Sequence, residues 1–179
     1  MAEILLSSEN FIKSVTNISD NVSGKYILSS LREAQEVSLK GIIGIPMLEK
    51  LKSLVDNKQI DSAENQMYKY LVNKCQYYLA YMTIVEMIFK VSYKIGNAGL
   101  VKATDDNMQI ASFDEMVAQK EYYQGKADFH CMELQNYILD NRSSYPEIDE
   151  CSCRKIHSNL YSAASCGIFL GGARGKRRK

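Results

Sequence analysis

Residues 67–93 read MYKYLVNKCQYYLAYMTIVEMIFKVSY, and this stretch decides the fold. Met67, Leu71, Cys75, Tyr78, Met82, Val85 and Phe89 recur at three- and four-residue intervals, the spacing of one face of a helix. Tyr77, Tyr81, Ile84 and Ile88 follow the same period on an adjacent face. The helix is therefore apolar around much of its circumference over its second half. It must be covered on more than one side, by its own domain or by a neighbouring subunit. With Ser62 as cap and an end near Tyr93 it holds roughly 30 residues and spans about 45 Å. The charge-free run between Lys74 and Glu86 is 11 residues, against the roughly 20 that cross a bilayer. A core helix is expected, and no membrane partner.

Downstream, Gly96, Asn97 and Gly99 end that helix. Leu100 to Thr104 and Met108 to Ala111 then flank the turn-prone Asp105, Asp106 and Asn107, the pattern of a short β-hairpin or extended loop. Two short strands alone are marginal in water, so this element is expected to pack on helices or to add to a partner's strand. Ser112 followed by Glu115 is a capping box that opens a second long helix, to about Asn141. Its stripe is Met116, Tyr123, Ala127, Cys131, Leu134 and Ile138, with Lys120 as a polar interruption, and it is expected to pair antiparallel with the first. Ser143, Ser144 and Pro146 stop it.

Upstream, Ser8 ahead of Phe11, Ile12 and Val15 suits a short capped helix, and the polar run TNISDNVSG at 16–24 suits turns. From Lys25 to about Leu39, the positions Ile27, Leu28, Leu31, Ala34, Val37 and Ser38 define an amphipathic helix. Gly41 and Gly44 punctuate the chain, and Pro46 opens a third helix, Met47 to about Val55. The fold class expected is all-α: a bundle of about four to five helices, two of them long and antiparallel and joined by a short β-hairpin or extended loop. Residues 1–148 form the helical domain, 149–170 a C-terminal extension and 171–179 a flexible basic tail.

The 179 residues suffice for one ordinary domain with a real core. The start, MAEILLSSENFIK, lacks the basic residues and long apolar run of a secretory signal, and five cysteines, an odd number, agree with free thiols in a reducing cytoplasm. Two prolines and no tryptophan favour long helices. Net charge is +1, but Arg174, Lys176, Arg177, Arg178 and Lys179 hold five of the 22 basic residues, leaving 17 against 21 acidic ones over residues 1–170.

Catalysis finds little support. The two histidines are His130, inside a helix beside Phe129 and Cys131 where a packed imidazole is expected, and His157. No nucleophile elbow, phosphate loop or His-Glu-x-x-His pattern occurs, and the glycines at 41 and 44 match no dinucleotide fingerprint. No enzyme and no cofactor are expected. Cys151, Cys153, His157 and Cys166 are the metal candidates, although their spacing departs from the Cys pairs of structural zinc sites, and incidental thiols are the plainer reading. The tail GGARGKRRK suits a salt-sensitive, sequence-independent attraction to phosphate, or contact with an acidic partner surface. Twelve tyrosines are more than one helical stripe turns inward, and tyrosine suits interfaces because it joins apolar area to a hydroxyl. From the residues alone the chain reads as an all-α, oligomeric interaction protein.

The order YILSSLREAQEVSLKGIIGIPMLEKL (26–51), YLAYMTIVEMI (78–88), KIGNAGLVK (94–102) and ELQNYILDNRSSYPEI (133–148) resembles the head-to-tail connector (adaptor) proteins of tailed bacteriophages, in the version found in crAss-like phages. The resemblance covers about residues 5 to 148, in pattern and order rather than in a single motif. It implies a structural virion component in the head-tail neck, assembled in the host cytoplasm as a ring, commonly of twelve copies, beneath the portal. Such a ring extends the channel through which packaged DNA slides non-specifically and offers a platform to other neck or tail ring proteins. The partners implied are the portal protein, those ring proteins and further copies of this chain. The family supplies no catalytic residues. Interface candidates are Tyr77, Tyr81, Leu100, Val101 and Ile110, with Arg174, Lys176, Arg177, Arg178 and Lys179 as a DNA- or partner-contacting tail. Residues 149–179 lie outside the resemblance. The alternative is a small helical DNA-binding accessory protein acting through that tail.

Overall fold

The computed structural model describes residues 4–96, 99–102 and 111–148, with side chains for 4–93 and 111–148. These residues form an all-α bundle. Helix α1, Glu9–Val15, starts where expected: the Ser8 hydroxyl accepts a hydrogen bond from the Phe11 N–H at 3.2 Å.

Helix α2, Gly24–Glu33, passes through a π-helical turn, Ala34–Leu39, directly into α3, Lys40–Ile43. This departs from the sequence reading in two ways. Gly41 does not end the helix; a Cβ there would meet nothing within 4 Å, so it is an ordinary helical position. The π turn adds a residue per turn and rotates the face that follows it. Ile27, Leu31 and Ala34 are buried as expected, but Gln35 and Leu39 take the inward places after them. Val37, read as part of the stripe, is 73% exposed, and Leu28 is half exposed. The chain breaks at Gly44 instead, with φ 83° and ψ 164°, a conformation open essentially to glycine alone. Pro46 then lies in the first turn of α4, Ile45–Asp56.

A short 3₁₀ turn, Ala63–Asn65, leads into α5, Gln66–Ser92. Ser62 does not cap the helix directly; its hydroxyl accepts from the Asn65 side-chain amide at 3.0 Å. Helix α6 is Phe113–Asp140, and its capping box is complete. The Ser112 hydroxyl accepts from the Glu115 N–H at 3.3 Å, and the Ser112 N–H donates to the Glu115 carboxylate at 2.7 Å.

Helix α5 is the centre of the bundle, packed most extensively on α6, then on α2 with its π turn, and on α1. Leu71, Cys75, Tyr78 and Val85 of its first expected line are buried, as is Ile84 of the second. Val72, Leu79, Ala80 and Thr83 are buried too, as expected of a helix on which α2, its π turn and α1 pack besides α6. The Thr83 hydroxyl is satisfied within the helix by donating to the Leu79 carbonyl at 2.6 Å. The two long helices run antiparallel: Lys74 pairs with Glu133 at 3.1 Å near one end, while Phe89 and Phe113 approach to 5.9 Å between ring centroids near the other. On α6, Met116, Ala127, Leu134 and Ile138 are buried as the stripe predicts, with Gln135 added.

After α6, a 3₁₀ turn, Arg142–Ser144, bends the chain back onto the start of α5. Tyr145 is fully buried and donates to the Met67 carbonyl at 2.9 Å, with the Tyr137 hydroxyl 3.0 Å away. Tyr68 donates to the Glu147 carboxylate at 3.0 Å. The end of the described chain is thus sealed against α5.

Between the long helices, Tyr93–Gly96 (β1) and Gly99–Lys102 (β2) lie antiparallel, with Tyr93 opposite Lys102 and Gly96 opposite Gly99. This pairing lies earlier in the chain than the hairpin expected about Asp105–Asn107, which itself falls outside the described residues. Of the expected strands, Leu100 to Lys102 falls in β2, while 103–104 and 108–110 lie outside the described residues. No helix among the described residues is long and apolar enough to cross a membrane.

Candidate functional site

The flank where α5 meets α6 is built from rings. Tyr77 and Tyr81, one turn apart on α5, both stack on His130 of α6, with centroid separations of 5.7 and 5.1 Å and interplanar angles of 22° and 5°. Phe129 meets His130 edge-on at 5.3 Å, and Phe11 of α1 meets Tyr77 edge-on at 5.5 Å. The Lys126 ammonium lies 5.5 Å from the Tyr81 ring and 4.9 Å from that of Tyr122, a cation–π arrangement. Much of this surface faces solvent: Tyr70, Tyr77, Tyr122, Phe129 and Met132 are between 43% and 57% exposed. Beside it, a shallow cleft of about 280 Å³ is lined by Tyr70, Tyr77, His130 and Tyr137 around the Lys74–Glu133 pair.

Burial holds the His130 imidazole below its ordinary pKa, and the Lys74 and Lys126 ammonium groups push the same way against the pull of Glu133. The ring between the tyrosines is therefore neutral at neutral pH, a stacking element rather than a cation. Burial also raises the Cys75 thiol to about 12 and that of Cys131 to about 11. Neither is a ready thiolate nucleophile at neutral pH. Among the described residues no cluster of His, Cys, Asp and Glu is placed to hold a metal. The expected metal candidates Cys151, Cys153, His157 and Cys166 lie outside the described residues, as do Ile110 and the tail Arg174, Lys176, Arg177, Arg178 and Lys179. Leu100 and Val101 are described in their backbone alone, on β2.

A second feature lies along the same half of α5, where the N-terminal segment meets it. The amide of Gln35, buried in the π turn, accepts from the Leu6 N–H at 2.8 Å and donates to the Ile4 carbonyl at 3.0 Å. The Gln76 amide donates to the Leu6 carbonyl at 2.9 Å. Two side-chain amides thus hold the N-terminal segment as a neighbouring strand would. Beside it lies a cleft of about 330 Å³, walled by Leu6, Val55, Ile60 and Val72 and rimmed by Asp61, Lys69 and Asn73. The buried Ser7 hydroxyl, which lines this cleft, has no hydrogen-bond partner among the described residues.

Of the residues singled out from sequence, the structure brings Tyr77 and Tyr81 together on one surface. It adds Tyr70, Tyr122, Lys126 and Phe129, which the sequence reading did not name as interface residues, and packs the His130 imidazole against Tyr77 and Tyr81. Tyr122, Lys126, His130, Glu133 and Tyr137 follow helical spacing along α6, a second line beside its core stripe. Gln35 and Gln76 carry no such signal, because their partners lie 29 to 70 residues away.

No curated protein and no solved structure matches the chain. A family of unknown function, DUF6712, matches residues 39–158, a span that holds the end of the π turn, both long helices and the ring-lined flank. With two-thirds of its length so covered, the chain belongs to the DUF6712 family.

Proposed function

We propose that this protein is a ring-forming structural subunit of a tailed-phage head-to-tail connector, seated beneath the portal in the virion neck. The observation that carries the reading is the exposed aromatic flank of α5 and α6. Tyr70, Tyr77, Tyr122 and Phe129 present apolar area on two long, rigid helices, the kind of surface that marks a protein contact. The order of sequence segments shared in pattern with connector proteins supports the same role. In it, neighbouring subunits cover one another's ring-lined flank in a head-to-tail contact that closes by rotation. The connection between the long helices reaches the next subunit as a short β-hairpin. DNA passes through the lumen without base-specific contacts, and the basic tail meets DNA or the portal.

The test is sedimentation of the full chain with the portal of the same genome, beside a Tyr70→Ser/Tyr122→Ser variant. Both substituted positions are exposed, so the variant keeps its fold. Co-sedimentation of the wild type and its loss in the variant support the reading. Equal co-sedimentation of both would remove the flank from it. A salt-sensitive DNA complex that depends on residues 174–179, with no portal association, would replace the reading with the DNA-binding alternative.

A further inference from the structure

Opposite its core stripe, α6 carries a second line at helical spacing. Ala118, Tyr122, Gly125, Phe129, Met132 and Asn136 follow one another at intervals of four and three, and all six are exposed among the described residues. A line of that period is the seam along which a helix takes an apolar segment at its side. Gly125, at the middle of the seam, is called for by nothing in the bundle. A Cβ there would meet nothing within 4 Å, and glycine weakens a helix relative to alanine. A backbone lying close over the seam supplies the reason, because it needs the room a side chain would take. Glu121 and Asp128 border the seam on one side, and neither makes an ion pair among the described residues. Over its whole length α6 holds six acidic residues against two lysines.

The chain itself holds a segment of complementary chemistry. Residues 151–170 carry Arg154 and Lys155 and no acid, and Ile156, Leu160, Ala164 and Ile168 recur every four residues, the spacing of one helical face. Tyr161, Phe169 and Leu170 add to an apolar content unlike that of a solvated arm. The described chain ends where that segment can reach the seam. Tyr145 is bonded to Met67 and Tyr137, and Glu147 to Tyr68, so Ile148 stands where the start of α5 meets the end of α6. Asn136 closes the seam at that same end. From Tyr137 back to Ala118 is 19 residues of α6, roughly 29 Å. The 20 residues 151–170 span about 30 Å at helical rise and more when extended. We infer that residues 151–170 lie back along the α6 seam of the same chain, their apolar residues over Tyr122, Gly125, Phe129 and Met132. Arg154 and Lys155 meet the acidic surface of α6. Attachment at Ile148 holds the segment at high local concentration over this seam rather than over that of another copy. The inference goes beyond the connector reading and does not rest on it. In a ring, the segment is what an arriving subunit displaces from the flank.

Hydroxyl-radical footprinting of the full chain, read by peptide mass spectrometry, measures solvent access at Tyr122, Phe129 and Met132. Two full-length variants are compared with the wild type. Leu160→Asp/Ile168→Asp puts charge in the apolar line of the segment, and Gly125→Gln fills the middle of the seam with a good helix former. Leu28, half exposed on α2, is the internal reference. Circular dichroism checks that the helices are kept, and should one variant lose them the other carries the test. The docked segment predicts oxidation of the three side chains at least threefold faster in the variants than in the wild type, with Leu28 unchanged. Equal rates overturn it. Carbodiimide coupling of a mixture of isotope-labelled and unlabelled wild-type chains then shows whose segment occupies the seam. Amide links from Lys155 to an α6 carboxylate within one chain support the inference. Links solely between differently labelled chains, the mark of a second copy as occupant, or no link to α6, overturn it.

Discussion

Replacing Gln35 by alanine removes a buried amide that no water reaches and that holds the N-terminal segment on the bundle. Two hydrogen bonds to the N-terminal backbone go, Leu6 N–H to Oε1 at 2.8 Å and Nε2 to the Ile4 carbonyl at 3.0 Å, each worth about 1 kcal/mol net, along with a long one from Nε2 to the Glu36 carboxylate at 3.4 Å. If the segment stays in place, its Leu6 N–H is left buried and unpaired, at a further 1–3 kcal/mol or so. If it peels away, that penalty vanishes but Leu6, 3% exposed, loses about 2 kcal/mol of burial. The freedom regained by the released residues offsets part of this, at roughly 1 kcal/mol per residue, while the Gln76 bond to the Leu6 carbonyl resists release. The first route costs about 3–5 kcal/mol and the second about 2–3 kcal/mol, so release sets the loss, with a fall in Tm of about 4–12 °C for a domain of this size. Urea unfolding gives the free energy, and amide exchange shows where it acts, with the Leu6 amide losing protection and mid-α5 changing only with global stability. A loss under about 0.5 kcal/mol with the Leu6 amide still protected would refute the role given to Gln35.

Three further expectations follow from the same geometry. Gly44→Ala forces a Cβ into φ 83° and should cost about 1–3 kcal/mol in urea unfolding, whereas Gly41→Ala, in open space within the helix, should stabilise by roughly 0.5–1 kcal/mol. The His130 pKa is depressed from its ordinary 6.5, so its contribution to stability is full above that value and is lost as pH falls through the folded pKa. Titration of its ring proton by NMR should give a midpoint below 6.5, and a midpoint above it would contradict the stacked, partly desolvated ring. With the Cys75 thiol raised to about 12, a maleimide at pH 8 should leave Cys75 unlabelled in the folded protein and label it on unfolding, read by peptide mass spectrometry.

The parts of the fold written in short-range chemistry were legible from the residues. The Ser112–Glu115 box, the Ser8 cap and Pro46 at a first turn each act within four residues, and the α5 and α6 stripes repeat over seven turns. The end of the second helix was not legible, because the turn that rephases it depends on what packs behind it. Gln35 turns inward to serve the backbone of residues 4 and 6, and Val37 turns out as a consequence. Nothing in a window around residue 35 announces that. The same holds for the flank. Tyr77 and Tyr81 were marked by their crowding on one helix, but His130 between them comes from a helix about 50 residues on, and only the antiparallel register brings the three rings together.

The most direct measurement of the connector reading is electron microscopy of this protein mixed with the portal protein encoded by the same genome, with portal alone as the reference. The reading predicts an added tier of density beneath the portal that matches its symmetry, with α5 and α6 forming the contacts between adjacent subunits. Portal particles unchanged by saturating protein at low salt would contradict it.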